Sequence, residues 1–112
     1  MENLEARAFA MWKVETTTSY KRLVLVELVK VIKVQTNQTD NRLYSELKKV
    51  CINLTRVEFD CALSSLYVFE IIGLHPVQAC EGEARHVNLK RKNMRVWKKY
   101  LSYIKTIQPE AV

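Results

Sequence analysis

The sequence predicts a mainly α-helical domain with a small β-hairpin in its C-terminal half. Three observations support this fold class: apolar residues recur at helical spacing in five stretches, a strong helix start closely follows one of them, and two short extended stretches flank a glycine. Only two glycines and two prolines occur in 112 residues with 48% hydrophobic content. We therefore expect a single domain over residues 1–112 that buries its own core.

A short N-terminal helix is predicted over residues 3–13, where apolar side chains recur at helical spacing. It precedes the expected core of the domain, which covers residues 20–92. Its aromatic residues, Phe9 and Trp12, are expected to pack on the domain or on a second copy of the protein.

Residues 20–35 carry mixed signals. Their many valines and isoleucines favour a strand, but Glu27, Lys30 and Lys33 recur every three residues. That period places the charges along one side of a helix and would scatter them over both faces of a strand. The pattern therefore predicts a largely buried helix. The polar connection at residues 35–38 leaves open whether a short strand follows.

Two consecutive helices are predicted over residues 41–52 and 56–69. The second begins with a capping box, because the Thr55 hydroxyl can accept from the Glu58 backbone N–H while the Glu58 carboxylate reaches back to the Thr55 N–H. Only a few residues separate the two helices, so they must turn sharply against each other. This is the arrangement of a helix-turn-helix.

The last third of the chain predicts a hairpin and one more helix. Residues 77–80 and 84–90 are expected to form strands around Gly82, which supplies the positive φ that a tight turn needs. The whole hairpin then covers residues 77–90. A strong apolar stripe at helical spacing predicts a C-terminal helix over residues 93–107.

Positive charge is concentrated at the C-terminal end. Residues 1–83 hold 10 Lys and Arg against 11 Asp and Glu, whereas residues 84–112 hold 8 against one. Arg95, Lys98 and Lys99 are three and four residues apart, so they share one helix face. Such a patch attracts polyanions, and nucleic acid is the expected partner. The alternative is a solvated helix face without a ligand.

Two segments carry a resemblance to a known family. Residues 55–66 (TRVEFDCALSSL) and 71–76 (IIGLHP) resemble the recognition helix and the entry to the wing of the winged helix-turn-helix superfamily, especially its small archaeal and archaeal-virus members. The resemblance covers about residues 20–105. It implies a winged helix-turn-helix with extra N- and C-terminal helices, in which helix 56–69 enters the major groove of duplex DNA and hairpin 77–90 grips the backbone or minor groove.

The predicted DNA-binding residues follow from this resemblance and from the charge pattern. By position, one arginine and two serines of helix 56–69 would face the groove, and basic residues of the hairpin and last helix would meet phosphates. The full set is Arg56, Ser64, Ser65, Arg85, Lys90, Arg91, Lys92, Arg95, Lys98 and Lys99. Helix 56–69 also carries Asp60 and lacks Asn and Gln, which favours affinity carried by phosphate contacts.

Catalysis and metal binding are not predicted. Cys61, His75, Cys80 and His86 are of metal-ligand type, but they lack the close spacing of a structural zinc site. No phosphate-cradling loop or nucleophile constellation is recognisable. We therefore expect no enzyme activity, no cofactor, no metal and no small-molecule substrate.

The cysteines and the longest apolar run of the sequence indicate the compartment. Three cysteines without close pairing indicate reduced thiols and a cytoplasmic protein, in the host cytoplasm if it is viral. The longest apolar run, residues 23–34, is too short and too charged to span a membrane.

We expect a DNA-binding transcription regulator; the alternatives are a protein-interaction module and a sequence-neutral architectural DNA-binding protein. A homodimer through the N- or C-terminal helix is a further hypothesis, because one small domain has two additional apolar stripes to bury.

Overall fold

A computed structural model describes residues 3–35, 37–79 and 82–110. Over these ranges the chain is mainly helical, as the sequence predicts, and it has one small antiparallel sheet of three strands, of which the sequence predicts the two of the hairpin. The elements are α1 (Leu4–Glu15), α2 (Ser19–Val34), β1 (Gln38–Thr39), α3 (Asp40–Lys48), α4 (Arg56–Val68), β2 (Ile72–Ala79), β3 (Gly82–Leu89), a 3-10 helix (Arg91–Asn93) and α5 (Met94–Ile104). No helix within the described ranges combines the length and apolar character needed to cross a membrane.

One hydrophobic core includes side chains from all five helices and from the sheet. Trp12 of α1 is fully buried, and its ring centroid lies 5.3 Å from that of Trp97 and 5.2 Å from that of Tyr100 on α5. The N- and C-terminal helices are therefore part of the core and pack on each other. Much of the apolar stripe of α5 is covered within the chain, whereas Leu4, Met11 and Val14 of α1 remain 42%, 40% and 65% exposed. The homodimer stays a prediction.

Polar caps fix the helix starts. Thr18, Thr39 and Thr55 each accept a hydrogen bond from a backbone N–H three residues on. The predicted capping box of α4 is confirmed: Glu58 N donates to Thr55 Oγ1 at 3.2 Å, and Thr55 N donates to Glu58 Oε1 at 2.9 Å. The region 20–35, where strand and helix signals compete, is helical, because helical packing buries its apolar face against the core.

Two helices end earlier than predicted. α3 ends at Lys48 instead of residue 52, because the next N–H groups bond three residues back and the chain tightens into a turn that exposes Val50. α5 ends at Ile104 instead of residue 107, and the N–H groups of Thr106 and Ile107 again bond three residues back. Local turn geometry, which apolar spacing does not report, sets both ends.

The hairpin is longer than predicted. β2 begins at Ile72, five residues before the predicted start, and pairs with β3 over its whole length. It passes through Pro76, which an edge strand tolerates because the sheet order is β1-β3-β2. Gly82 is the first residue of β3, while residue 80 of the predicted first strand and residue 81 of the predicted turn lie outside the described residues.

The short strand left open by the sequence is present. Gln38 and Thr39 of β1 pair with Val87 and His86, so β3 becomes the central strand. This pairing brings the start of α3, at Asp40, directly beside the hairpin.

Candidate nucleic-acid interface

Two aspartates and two arginines join the starts of α3 and α4 to the hairpin. The Asp40 side chain is only 5% exposed and accepts hydrogen bonds from Arg56 Nη2 and Arg85 Nε, both at 3.0 Å. The Arg85 backbone N–H also donates to Asp40, at 3.2 Å. Asp60 accepts from Arg56 Nε at 3.1 Å and lies 3.7 Å from Arg85 Nη2. We call these four residues the charge cluster.

The arginines of the charge cluster stabilise the ionised form of Asp40. Burial acts to raise the pKa of Asp40, but hydrogen bonds from Arg85 and the charges of Arg85 and Arg56 outweigh it and hold that pKa below its ordinary value. Asp40 is therefore ionised at neutral pH. Charge-assisted bonds of this kind are stronger than neutral ones, and removing one partner leaves the opposite charge uncompensated.

Arg56 has further partners inside the protein. Its Nη1 donates to Asn41 Oδ1 at 2.7 Å, and its guanidinium carbon lies 5.4 Å from the ring centroid of Tyr44 and 5.3 Å from that of Phe59. Both guanidinium groups are thus held by partners within the chain, while the DNA contacts expected of Arg56 and Arg85 stay predictions. Their role in this structure is to fix the hairpin against α4.

Only one of the two predicted groove-facing serines is exposed. Ser65 is buried, its hydroxyl donates to the carbonyl oxygen of Ala62 at 2.8 Å, and its own carbonyl oxygen accepts from Trp12 Nε1 at 3.2 Å. The prediction for Ser65 is wrong, because α1 covers that side of α4. Ser64 remains exposed on the outer face.

The outer face of α4 is apolar and acidic. Val57, Tyr67 and Val68 are 72%, 49% and 53% exposed. Asp60 lies on the same side, and the only basic residue of α4, Arg56, belongs to the charge cluster. This face therefore offers few donors to base edges and no free cation to phosphates.

The start of α5 is fixed to the end of α4. Asn93 Nδ2 donates to the Glu70 carbonyl oxygen at 2.8 Å, and the Lys90 N–H donates to the Ile71 carbonyl oxygen at 2.9 Å. Asn93 occupies the N-cap position of α5 but makes no side-chain capping bond there. Lys90 Nζ lies 3.8 Å from the Glu70 carboxylate, which partly neutralises it.

The outer side of the 3-10 helix and of α5 is strongly basic. α5 buries Met94, Trp97, Tyr100 and Ile104, and at about 100° per residue the opposite side carries its cations. We define the basic face as Arg91, Lys92, Arg95, Lys98 and Lys99, all exposed.

Most cations of the basic face form no ion pair within the described residues. Lys99 pairs with Glu5 of α1 at 3.2 Å. The other four side chains have no acidic partner among the residues that the structure describes. A row of uncompensated cations along the 3-10 helix and α5 is suited to bind a polyanion.

The structure therefore divides the predicted DNA-binding set. Five residues form the basic face. Arg56 and Arg85 belong to the charge cluster, Lys90 lies beside an acid, Ser65 is buried, and Ser64 lies on the apolar face of α4. The sequence analysis missed the role of the Asp40 carboxylate, because its arginine partners are 16 and 45 residues away.

The structure describes three of the four potential metal ligands. His75 and His86 are directly opposite each other on β2 and β3, and both are exposed. Cys61 is exposed on α4, whereas Cys80 lies outside the described residues. Within the described ranges, no three His, Cys, Asp or Glu side chains come together as a metal site.

Comparisons with protein-family models, with curated proteins and with solved structures each returned no match. No family can be assigned on that basis. The basic face, the charge cluster and the outer face of α4 are the features from which a function has to be argued.

Proposed function

We propose that this protein binds duplex DNA through its basic face, without catalysis, on a winged helix-turn-helix fold. The observation that carries the proposal is the row of exposed cations without acidic partners among the described residues, Arg91 and Lys92 on the 3-10 helix and Arg95 and Lys98 on α5, whose other side is buried in the core. Each phosphate that such a row neutralises releases counterions, which is the main source of sequence-independent affinity for DNA.

The order of the elements supports the winged-helix part of the proposal. Helix α2, strand β1, helices α3 and α4 and the β2–β3 hairpin follow one another in the order that the sequence resemblance implies. The short strand before α3 pairs with the hairpin, as members of that superfamily often have it. In this reading the hairpin is the wing, and α4 occupies the position of the recognition helix.

The side chains favour binding to phosphates over the reading of bases. Sequence is read through donors and acceptors that reach base edges, and α4 offers Val57, Ser64, Tyr67 and Val68 instead. A sequence-neutral DNA-binding protein is therefore the favoured form of the proposal. A transcription regulator with a defined operator is the alternative, and selection from random oligonucleotides would separate the two by the presence of a preferred site.

The test is a fluorescence-anisotropy titration of a random-sequence duplex over a series of salt concentrations. Four phosphate contacts give a slope of log affinity against log salt of about −3.6. In the variant Arg91→Glu/Arg95→Glu/Lys98→Glu we expect a loss of affinity of at least about hundredfold at low salt, because three contacts become repulsive. Circular dichroism should remain unchanged, since all three side chains are exposed.

A matched control separates the basic face from net charge. The variant Lys21→Glu/Lys33→Glu/Lys48→Glu makes the same change in net charge at exposed positions of α2 and α3. We expect it to lose much less affinity than the basic-face variant. An equal loss in both variants would mean that overall charge, and not the basic face, carries the binding.

A further inference from the structure

A continuous groove runs between the outer face of α4 and the edge of α1. One part of it, of about 410 Å³, extends from Met11 to Val68. A second part, of about 260 Å³, continues toward α2. The two parts share Glu15, Val57 and Cys61. We call this feature the α1–α4 groove.

The walls of the α1–α4 groove expose apolar side chains to water. Val57 and Val68 of α4 are more than half exposed, and Met11 of α1 is 40% exposed. These side chains point away from Phe59 and Leu66, which fix α4 to the core. A contiguous apolar surface of this kind marks an interaction site more often than it occurs by chance.

The charges along the groove are mainly acidic. Glu15 and Glu58 lie along it, and neither has a cationic partner among the described residues. The Glu58 carboxylate accepts instead from the Thr55 N–H and the Tyr20 hydroxyl. Lys21 is the one cation that lines the groove within the described part of the chain, and it lies at the far end.

We infer that the α1–α4 groove binds an amphipathic helix of another protein whose polar edge is basic. The stretch of α4 from Val57 to Val68 is about 16 Å long at about 1.5 Å per residue, which matches helix anchors at i, i+4, i+7 and i+11. Apolar anchors would cover the valines and Met11. Lysines or arginines beside them would meet Glu15 and Glu58.

A second copy of this chain fits the groove poorly. The helix that carries most of the basic face, α5, buries its apolar side in its own core. It therefore cannot present an apolar stripe together with its cations. The inference is also independent of DNA binding, because the groove and the basic face share no residue.

The test uses two designed helical peptides of about 16 residues with the same leucine and alanine stripe. One carries lysine along its polar edge, and the other carries glutamate. Each is titrated into the isotope-labelled full chain and followed by amide chemical shifts. We expect the lysine peptide to shift amides along residues 57–68 and 11–15, and to bind at least about fivefold more tightly than the glutamate peptide, because two carboxylates line the groove.

A pair of valine variants supplies the control. Val68 and Val34 are the last residues of α4 and α2, and both are exposed. A helix C-terminus tolerates a lysine at each of these positions. Val68→Lys should weaken the lysine peptide at least about fivefold, because it removes an anchor and adds repulsion. Val34→Lys should leave its affinity unchanged.

Several results would overturn the inference. These are shifts confined to other surfaces, equal affinity for the two peptides, or equal effects of the two valine variants. Groove shifts that depend on protein concentration without peptide would assign the groove to a second copy. The anisotropy titration of the same Val68→Lys protein reports DNA binding separately, so failure of the groove and failure of the DNA proposal are distinguishable.

Discussion

Helices α4 and α5 are of similar length, 13 and 11 residues, and both bury one side in the same core. Their outer sides differ in chemistry. α5 presents the basic face, whereas α4 presents exposed valines, Tyr67 and Asp60. The helix to which the sequence resemblance assigns DNA recognition is thus the one less suited to DNA, and the C-terminal helix is better suited. Position within a fold and chemistry of a surface are separate properties.

The arginines of the two helices also differ in their ion pairs. Arg56 at the start of α4 is bound by Asp40 and Asp60, so its charge is neutralised inside the chain. Arg95 on α5 has no such partner among the described residues. An arginine that stabilises the fold through buried acids is not free for phosphate unless those bonds break. The predictions below test this difference.

The largest effect is expected from removal of the Asp40 charge. Asp40→Asn leaves Arg56 and Arg85 without their shared carboxylate, and we expect a loss of about 2–3 kcal/mol in the free energy of unfolding by urea. This is below the about 3–5 kcal/mol typical of fully buried pairs, because both arginines are 38% exposed. The more exposed Asp60→Asn should cost less than about 1 kcal/mol. Equal small losses in both variants would contradict the central role of Asp40.

The second prediction concerns DNA affinity. Arg95→Gln/Lys98→Gln removes two cations of the basic face, so the salt slope should become shallower by about 1.8 and the affinity at low salt should fall at least about tenfold. Lys33→Gln/Lys48→Gln, at exposed positions of α2 and α3, is the matched control. An equal change of the salt slope in both variants would mean that α5 contributes no more to DNA binding than the rest of the surface.

The pH dependence of stability sharpens the same comparison. Because the pKa of Asp40 is lower in the folded protein, the unfolded chain takes up the proton first as the pH falls. The stabilisation by Asp40 is therefore complete above an unfolded pKa of about 4 and is lost as the pH falls through the lowered folded value. Urea midpoints of the parent and of Asp40→Asn should converge in acid. A constant gap between them down to acid pH would argue against the assigned pKa direction.

The smallest effect is expected from Asp60→Asn in DNA binding. This change removes one negative charge from the charge cluster on α4. Since we place DNA on the basic face, its affinity should change by less than about twofold at moderate salt, where distant charges are screened. Anisotropy measures this, and a clear gain in affinity would indicate that α4 and the hairpin lie against the DNA.

Local features of this chain could be predicted from the sequence, and long-range ones could not. The capping box of α4 involves Thr55 and Glu58, which are three residues apart. The cations of α5 also lie close together in the sequence, so they can be recognised there as a cluster. By contrast, Arg85 and Asp40 meet only because β1 pairs with β3. Ser65 is buried only because α1 packs on α4.

The end of α3 and the length of β2 show the same limit. Residues 49–52 continue the apolar spacing of α3, yet the chain turns there to bring α4 into place. Pro76 marks a break in helical pattern, but edge position in the sheet allows it inside β2. Both outcomes depend on contacts that form only when the elements pack.

The most direct test of the account is to map the surface that DNA covers. Amide chemical shifts of the isotope-labelled full chain would be followed while a short random-sequence duplex is added at low salt. We expect the largest changes at residues 91–99, with residues 57–68 little affected. The largest changes along residues 57–68 would contradict the account, because DNA would then lie on α4 and not on the basic face.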